Sequence, residues 1–502
     1  MSTKLNNLLT DFYALRESSK GKQRIKKDLF TYENKMEEYL SRWMALSKED
    51  KHVYPSQGLL LTPHDYLTYH AIQMLPQEKI VETLRMRWFF LTMFNHPARI
   101  YHLKKINSKK FTPPPIIKSK LFSSSDNDGL SLSIGDIGAR VTGSEKPRTS
   151  RTERYAQGPF IKLGKQARSI FVGSASPDVW NSAAAIATMA ASHCLSCIPR
   201  NGVTSDLKRQ TDLAKEVFSW LKDLENTLLD KRADKKEISN YWKSNVMGTL
   251  SANPEKALGN AKALYKAGVR TFRIYSPEPG TGTVESVKIL RKEFGKNIEI
   301  FAGMIIDLSQ AAAIEEAGAD GLYAGIGGGG RCTTGVRSGS VIDWPELIWS
   351  LRGKVNIPVI VEGGASDHVA STLLLGASGI GVSRAVSGGT IESPGGALYC
   401  VDKIGKLFKP YGGEASARTK YLDGKLMPFN IPAFVEGETT KAQMSYVDFV
   451  LPTLTYNLHL LTEDVILSLV FRNAESIYDL QAIDPSPLRR YTSFGEFQRN
   501  TH

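Results

Sequence analysis

A thiol and two hydroxyls, Cys332, Thr333 and Thr334, follow almost directly on four consecutive glycines, Gly327 to Gly330. Without side chains, such a loop adopts positive φ freely and can turn its peptide groups toward a bound anion or cation. Arg331, beside the thiol, would favour the thiolate, the form in which cysteine attacks an electrophile. The same residues also make a glycine-rich turn with a bystander cysteine, so the loop alone leaves both readings open. What positions the loop decides between them. The preceding Gly-Ala-Asp-Gly-Leu-Tyr-Ala-Gly reads as a buried strand that would carry the thiol just past its C-terminal end.

That strand is one of a series. From Ser169 onward, short apolar strands alternate with Ala-rich amphipathic helices, as in Asn-Val-Met-Gly-Thr-Leu followed by Asn-Pro-Glu-Lys-Ala-Leu-Gly-Asn-Ala-Lys-Ala-Leu-Tyr-Lys. At least seven such units can be counted. Repeated strand–helix units with apolar strands imply a parallel sheet covered by helices, and this number favours a closed (β/α)8 TIM barrel over an open sheet. In a barrel, chemistry belongs to the loops after the strands. The loops at 174–178, 200–202, 276–282, 325–332, 362–366 and 383–390 all fall at such ends.

The first third of the chain has another character. Leu29, Tyr32, Met36, Tyr39, Leu40 and Trp43 recur near a helical period, and a second helix is predicted from Pro76 to Phe94 with an aromatic-rich end suited to packing. Residues 1–110 are therefore expected to form a smaller, mainly helical domain, 111–160 a Pro/Ser-rich linker and 161–502 the barrel. Lys and Arg outnumber Asp and Glu by 29 to 16 in residues 1–168 and balance at 35 each beyond them, so the whole net charge of +13 sits at this end. Such a segment suits contact with nucleic acid, an acidic protein or an anionic surface, besides being an ordinary solvated basic face. The apolar run 86–94 is too short to span a bilayer and contains Arg87, the N-terminal stretch carries Asp11 and Glu17, and four cysteines are too few for a disulfide framework. A cytoplasmic protein without membrane contact is expected. Cys194 and Cys197 form a lone Cys-x-x-Cys suited to core packing rather than zinc or redox work, with His193 at a helix C-terminus.

Taken together, Gly327, Gly329, Cys332 and Thr334, then Ile-Val-Glu-Gly-Gly-Ala at 360–365, Glu-Ser-Pro-Gly-Gly at 392–396 and Phe-Lys-Pro-Tyr-Gly-Gly-Glu-Ala-Ser at 408–416 resemble the IMP dehydrogenase/GMP reductase family over roughly 169–480. The resemblance implies a purine-nucleotide oxidoreductase. In it, Cys332 would attack purine C2, Thr334 and Glu436 would activate water or an amine, and Lys420 and Tyr421 would open a mobile flap spanning about 411–440. Tyr421 would belong to the catalytic set. Glu362 and Gly364 would meet the ribose, Tyr411 and Gly413 the phosphate. NAD or NADP would be the cofactor, with Tyr275 and Ser276 in its loop. The backbones of Gly327, Gly329 and Cys332 would hold a monovalent cation such as potassium. A purine nucleotide monophosphate as ligand and a homotetramer are also implied.

The sequence departs from this pattern at informative places. Tyr275 stands where the family commonly has Asp, Met304 where it has Asn, Gly330 where it has a phosphate-binding Ser, and Ser383-Arg384 where it has Gly-Ser. Arg331 and Arg384 could supply phosphate contacts by another geometry. The resemblance implies oxidation of IMP to XMP through a Cys332 thioimidate; GMP reduction and a catalytically inactive, nucleotide-binding or assembly protein are the alternatives. A flavin barrel is a weaker reading.

Overall fold

Strands that are apolar on both faces need cover on both faces, and that requirement sets the architecture. The computed structural model describes residue 62 and residues 71–119, 130–132 and 151–490, apart from 175, 203–204, 277–280, 326–331, 364–367, 424–425, 429–430, 433–434 and 444–452. Eight strands, β1 (Phe171–Gly173), β2 (Ser196–Ile198), β3 (Val246–Ser251), β4 (Thr271–Tyr275), β5 (Glu299–Ile305), β6 (Gly321–Ala324), β7 (Val359–Val361) and β8 (Gly379–Val382), pair in parallel in chain order, and β8 returns to β1. A parallel bridge between Val172 and Leu195, with the Gly173 N–H donating to the Leu195 carbonyl at 2.8 Å, joins β1 to the approach of β2. The sheet thus closes, and the expected (β/α)8 barrel is present.

Its helices start where the sequence supplies caps. Asn253 accepts from the Lys256 N–H ahead of Pro254–Lys266, and Asp307 from the Gln310 N–H ahead of Leu308–Glu316. Pro254, in the first turn, lacks only an N–H that the helix could not use there. Such caps turn each strand end sharply into its helix, leaving the loops at the barrel mouth. The opposite end is floored by a hairpin, Phe160–Leu163 with Gln166–Ser169. From that hairpin the fully buried Arg168 donates to both carboxylate oxygens of Glu299, at 2.5 and 2.9 Å. The barrel interior is a packed core of Leu163, Val172, Cys197, Met247, Met304 and Ile360, among others.

A second, antiparallel sheet is built from β9 (Leu398–Val401), β10 (Leu407–Gly412) and β11 (Thr439–Gln443), and strand Ala71–Met74 is added to its β9 edge. Tyr411 faces Thr440 and Gly412 faces Thr439, so residues 413–438 leave and rejoin the sheet at one place. Within that excursion Ser416 caps the helix Ala417–Leu422. Helix Leu454–Phe471 packs against Gln77–Phe94 and Ala183–Ala191.

The helix predicted to begin at Pro76 is found as Gln77–Phe94, and its Trp88, Phe90, Leu91 and Phe94 share one apolar core with the barrel helices. The other predicted helix, around Leu29 to Trp43, lies outside the described residues. Within the predicted linker, Leu130–Leu132 pairs with Leu488–Arg490, and Arg151–Gln157 is helical. Among the described residues, no helix is long and apolar enough to cross a membrane.

Candidate functional site

Cys332 emerges just beyond β6, half-buried, with its Sγ 3.3 Å from Thr334 Oγ1. Two strands of backbone hold it. Cys332 bridges antiparallel to Gly437, the Thr333 N–H donates to the Glu436 carbonyl at 2.9 Å, and the Arg337 guanidinium donates to the Val435 carbonyl. On its other side the 436–437 backbone is fastened to 415–416, the Glu436 N–H donating to the Ala415 carbonyl at 2.9 Å. The thiol loop and the 413–438 excursion are therefore clamped together through main chain. The Glu436 side chain is exposed, and no hydrogen bond joins it to Thr334. Gly327, Gly329, Arg331 and Gly364 lie outside the described residues, and with them most of the donor set foreseen for a monovalent cation.

Beside the thiol loop, β6 and β7 approach so closely that a Cβ on Gly325, at φ +122°, would lie 2.0 Å from the Glu362 carbonyl. Only glycine fits there. Glu362 turns into the barrel, where its Oε2 accepts from Arg273 Nη2 at 2.5 Å. The Arg273 guanidinium, 1% exposed, lies between two rings, its Cζ 4.6 Å from the Tyr275 centroid and 4.4 Å from that of Tyr323. Burial works most strongly against its charge, but the Glu362 carboxylate together with Tyr323, Cys197 and Tyr275 outweighs it and holds the arginine above its ordinary pKa. Tyr275 is screened in turn by Arg200, which donates to the Tyr275 and Leu250 carbonyls and to Glu414, with Asn201 also on Glu414. Burial, with Glu414 nearby, pushes the Tyr275 phenol upward. The Ser276 N–H donates to the Gly303 carbonyl and its own carbonyl accepts from Met304.

The residues expected to meet phosphate gather at the ends of β8 and β10. Ser383 Oγ is buried, hydrogen bonded to Ser174 Oγ, and accepts from Trp180 Nε1 at 3.0 Å. Arg384 is exposed beside it. The Tyr411 hydroxyl meets Ser176, and burial raises its pKa. Gly413 has open space where a Cβ would stand. Beneath them Asp178 Oδ2 accepts from the Gly412 N–H at 2.7 Å and from Arg418 Nε at 2.8 Å, both side chains being 1% exposed. This pair fastens the helix carrying Lys420 and the half-buried Tyr421 to the loop after β1. Asp423, just past that helix, accepts from the Gly202 N–H after β2.

Cys332, Thr334, Glu362, Ser383, Arg384, Tyr411, Gly413, Tyr421, Tyr275 and Ser276 thus all lie at one end of the barrel or on the sheet and excursion over it. Sequence reasoning missed Arg273, Arg200, Glu414, Asp178 and Arg418. Arg273 carried a signal: it is a lone charge in the apolar strand Thr-Phe-Arg-Ile-Tyr, one alternation from Tyr275 and hence on the same face. Cys194 and Cys197 are packing residues, as expected, their thiols pushed up to about 12 and about 11 by burial. His193 does sit past a helix end, at φ 62°.

For a dinucleotide, this end of the barrel holds the Tyr275 ring, with Arg200 Cζ 5.2 Å and Arg273 Cζ 4.6 Å from its centroid, and Glu414 as the carboxylate within electrostatic reach of it. The acid expected at the end of β4 is replaced by a phenol, so the fit is through ring and flanking carboxylate. Among the described residues, no group of three His, Cys, Asp or Glu could hold a metal ion.

Residues 164–446 match the family model for the IMP dehydrogenase / GMP reductase domain. The chain is 34% identical over 140 residues to an inosine-5'-monophosphate dehydrogenase of Mycobacterium leprae, which covers 26% of this chain and 25% of the relative. It is 33% identical over 152 residues to inosine-5'-monophosphate dehydrogenase 1 of Arabidopsis thaliana, 29% of each chain. With the Aquifex aeolicus inosine-5'-monophosphate dehydrogenase it shares 26% identity over 255 residues, 45% of this chain and 51% of the relative. The chain thus spans between a quarter and about half the length of these relatives.

Proposed function

Since the chain belongs to the IMP dehydrogenase / GMP reductase family, we propose that it is a purine-nucleotide oxidoreductase that converts IMP to XMP with NAD. The observation that supports this most is the thiol of Cys332 beside Thr334, held at the barrel mouth by the 435–437 backbone. Cys332 adds as thiolate to C2 of the purine, which splits a hard displacement into two easier steps. NAD, when bound against Tyr275, supplies the hydride acceptor. Thr334 then activates water on the covalent adduct, and Glu436, carried by the same clamped strand, takes its proton once the 413–438 excursion closes over the ligand. Tyr421 belongs to this closing segment. Ser383, Arg384, Tyr411 and Gly413 receive the phosphate, and Glu362 the ribose. Reduction of GMP would use the same groups, Cys332 adding to C2 and expelling the amine as ammonia, with NADPH, when bound, supplying the hydride that then displaces the thiolate to leave IMP.

A second reading, a family member that binds nucleotide without turnover, is favoured by the cofactor end. There Tyr275, Met304 and the Arg200–Glu414 pair replace or occupy the groups a nicotinamide ribose would meet. Absorbance at 340 nm, with IMP and NAD and separately with GMP and NADPH, distinguishes the cases. Turnover in the wild type that is lost in Cys332→Ala supports the oxidoreductase and sets its direction. Calorimetric binding of IMP without turnover supports the second reading, and the absence of both overturns each. We further propose a cytoplasmic homotetramer, testable by light scattering, and an N-terminal region whose basic charge contacts nucleic acid or an acidic partner. A binding assay of the full chain at two salt concentrations tests that charge-driven contact.

A further inference from the structure

The Arg273–Glu362 pair is unfinished. Glu362 Oε2 is tied to Arg273 Nη2 at 2.5 Å, but Glu362 Oε1 and the Nε and Nη1 of Arg273 are buried with no hydrogen-bond partner among the described residues. Buried polar atoms in a native chain are nearly always satisfied, and a charged group left unpaired is costly. Three such atoms in one ion pair mark a place where a partner is still to come.

The surroundings are made for this pair. The guanidinium carbon lies over both the Tyr275 and the Tyr323 ring, 4.6 and 4.4 Å from their centroids. On the opposite side Gly381 clears the path of the glutamate, since a Cβ there would stand 2.6 Å from Glu362 Cγ. Gly325 does the same for the Glu362 backbone. A glutamate reaches one methylene further than an aspartate from the same backbone position. Arg273 holds one oxygen of this longer carboxylate inside the barrel and leaves the other without a partner among the described residues.

We propose that Arg273 is a ribose-binding residue: it fixes Glu362 so that Oε1 accepts from a sugar hydroxyl, while its own unused N–H groups donate to the same vicinal diol. A hydroxyl both donates and accepts, which is what one free carboxylate oxygen beside free guanidinium N–H groups requires. This inference rests on the nucleotide-binding reading above. It adds that the sugar is read by an arginine–glutamate pair, not by a carboxylate alone.

Calorimetric titration with IMP and with 2',3'-dideoxy-IMP tests it. The wild type is expected to bind IMP at least tenfold more tightly than the dideoxy analogue. Arg273→Met, which keeps the volume but removes every donor, is expected to bring that ratio near one, with affinity for the dideoxy analogue within a fewfold of wild type. Arg273→Lys, which keeps a donor but loses the fixed fork, is expected to give an intermediate ratio. A purely structural arginine would weaken both ligands together and leave the ratio alone. Should Arg273→Met fail to fold, judged by its melting curve, Arg273→Lys decides. An unchanged ratio in the folded variants overturns the proposal, as does a wild type that binds the two ligands equally. A wild type that binds neither overturns the nucleotide-site reading itself.

Discussion

Cys332 and Thr334 stand 3.3 Å apart but are asked to serve different steps, so their variants should fail differently. Cys332→Ala is expected to lose turnover by on the order of 10^3 or more, as removal of a nucleophile does, while IMP binding changes only a fewfold. Thr334→Ala should slow resolution of the adduct by roughly 10^2 to 10^4, so that the intact protein mass under turnover gains a nucleotide. Equal losses with no trapped adduct would remove Thr334 from the second step. These residues were legible because their chemistry sits in a short run of sequence, thiol and hydroxyl behind glycines. Arg273 was not, because its meaning lies in a partner 89 residues away. A charge in a strand reads as an outward-facing residue until the partner is placed opposite it. The Glu436 case is instructive in the other direction. The residue was found, yet what the fold uses first is its backbone, bonded to Thr333 and Ala415, which no side-chain pattern announces.

At the level of elements, the alternation of strand and helix was readable because the barrel strands are largely apolar on both faces and most of the helices on one. The antiparallel sheet was not. Its β9 and β10 are joined by a short turn, but its other strands come from far away in sequence, Ala71–Met74 pairing with Leu398–Val401, and no local pattern carries such a contact. That sheet matters because it delimits the 413–438 excursion, whose helix Ala417–Leu422 is anchored by the buried Arg418–Asp178 pair. Removing one member of a buried pair leaves the other charge uncompensated and costs about 3–5 kcal/mol. Arg418→Met is therefore expected to lower stability by that order in chemical denaturation. It should also release Gly412, whose N–H shares Asp178, and loosen the excursion next to Cys332. Adding Asp178→Asn should recover much of the stability but little of the ligand affinity, because the anchor is still missing. Full recovery of affinity in the double variant would show that the pair serves stability alone.

Across the whole molecule, the described part of the N-terminal third is joined to the barrel through groups that resist protonation. His193 Nε2 meets Asn95 Oδ1 at 2.9 Å, and Asn95, at the end of helix Gln77–Phe94, donates to the Ala191 carbonyl and accepts from Trp242. His459 lies across the same seam, stacked 4.7 Å from Phe90 and bonded to the Tyr155 hydroxyl at 2.6 Å. Burial lowers His193 to about 3, helped by the charges of Arg99 and Arg232, and lowers His459 to about 4, helped by Arg99. In the unfolded chain both histidines take up protons near the usual value of about 6.5. The unfolded state therefore binds more protons below that pH, and the stability these neutral histidines allow is present above about 6.5 and declines as pH falls toward their native values. Each contributes a slope of up to about 1.4 kcal/mol per pH unit in that window. Chemical denaturation between pH 7 and pH 4 should accordingly show stability falling with acid, and His193→Asn, which tolerates the positive φ, should flatten the fall, as should His459→Gln. Acid should first loosen helices Gln77–Phe94 and Pro97–Asn107 from the barrel, seen as early loss of amide protection there while strands β3 to β5 remain protected. Simultaneous loss of protection in both regions, with slopes unchanged in the two variants, would place the acid-sensitive groups elsewhere than this seam.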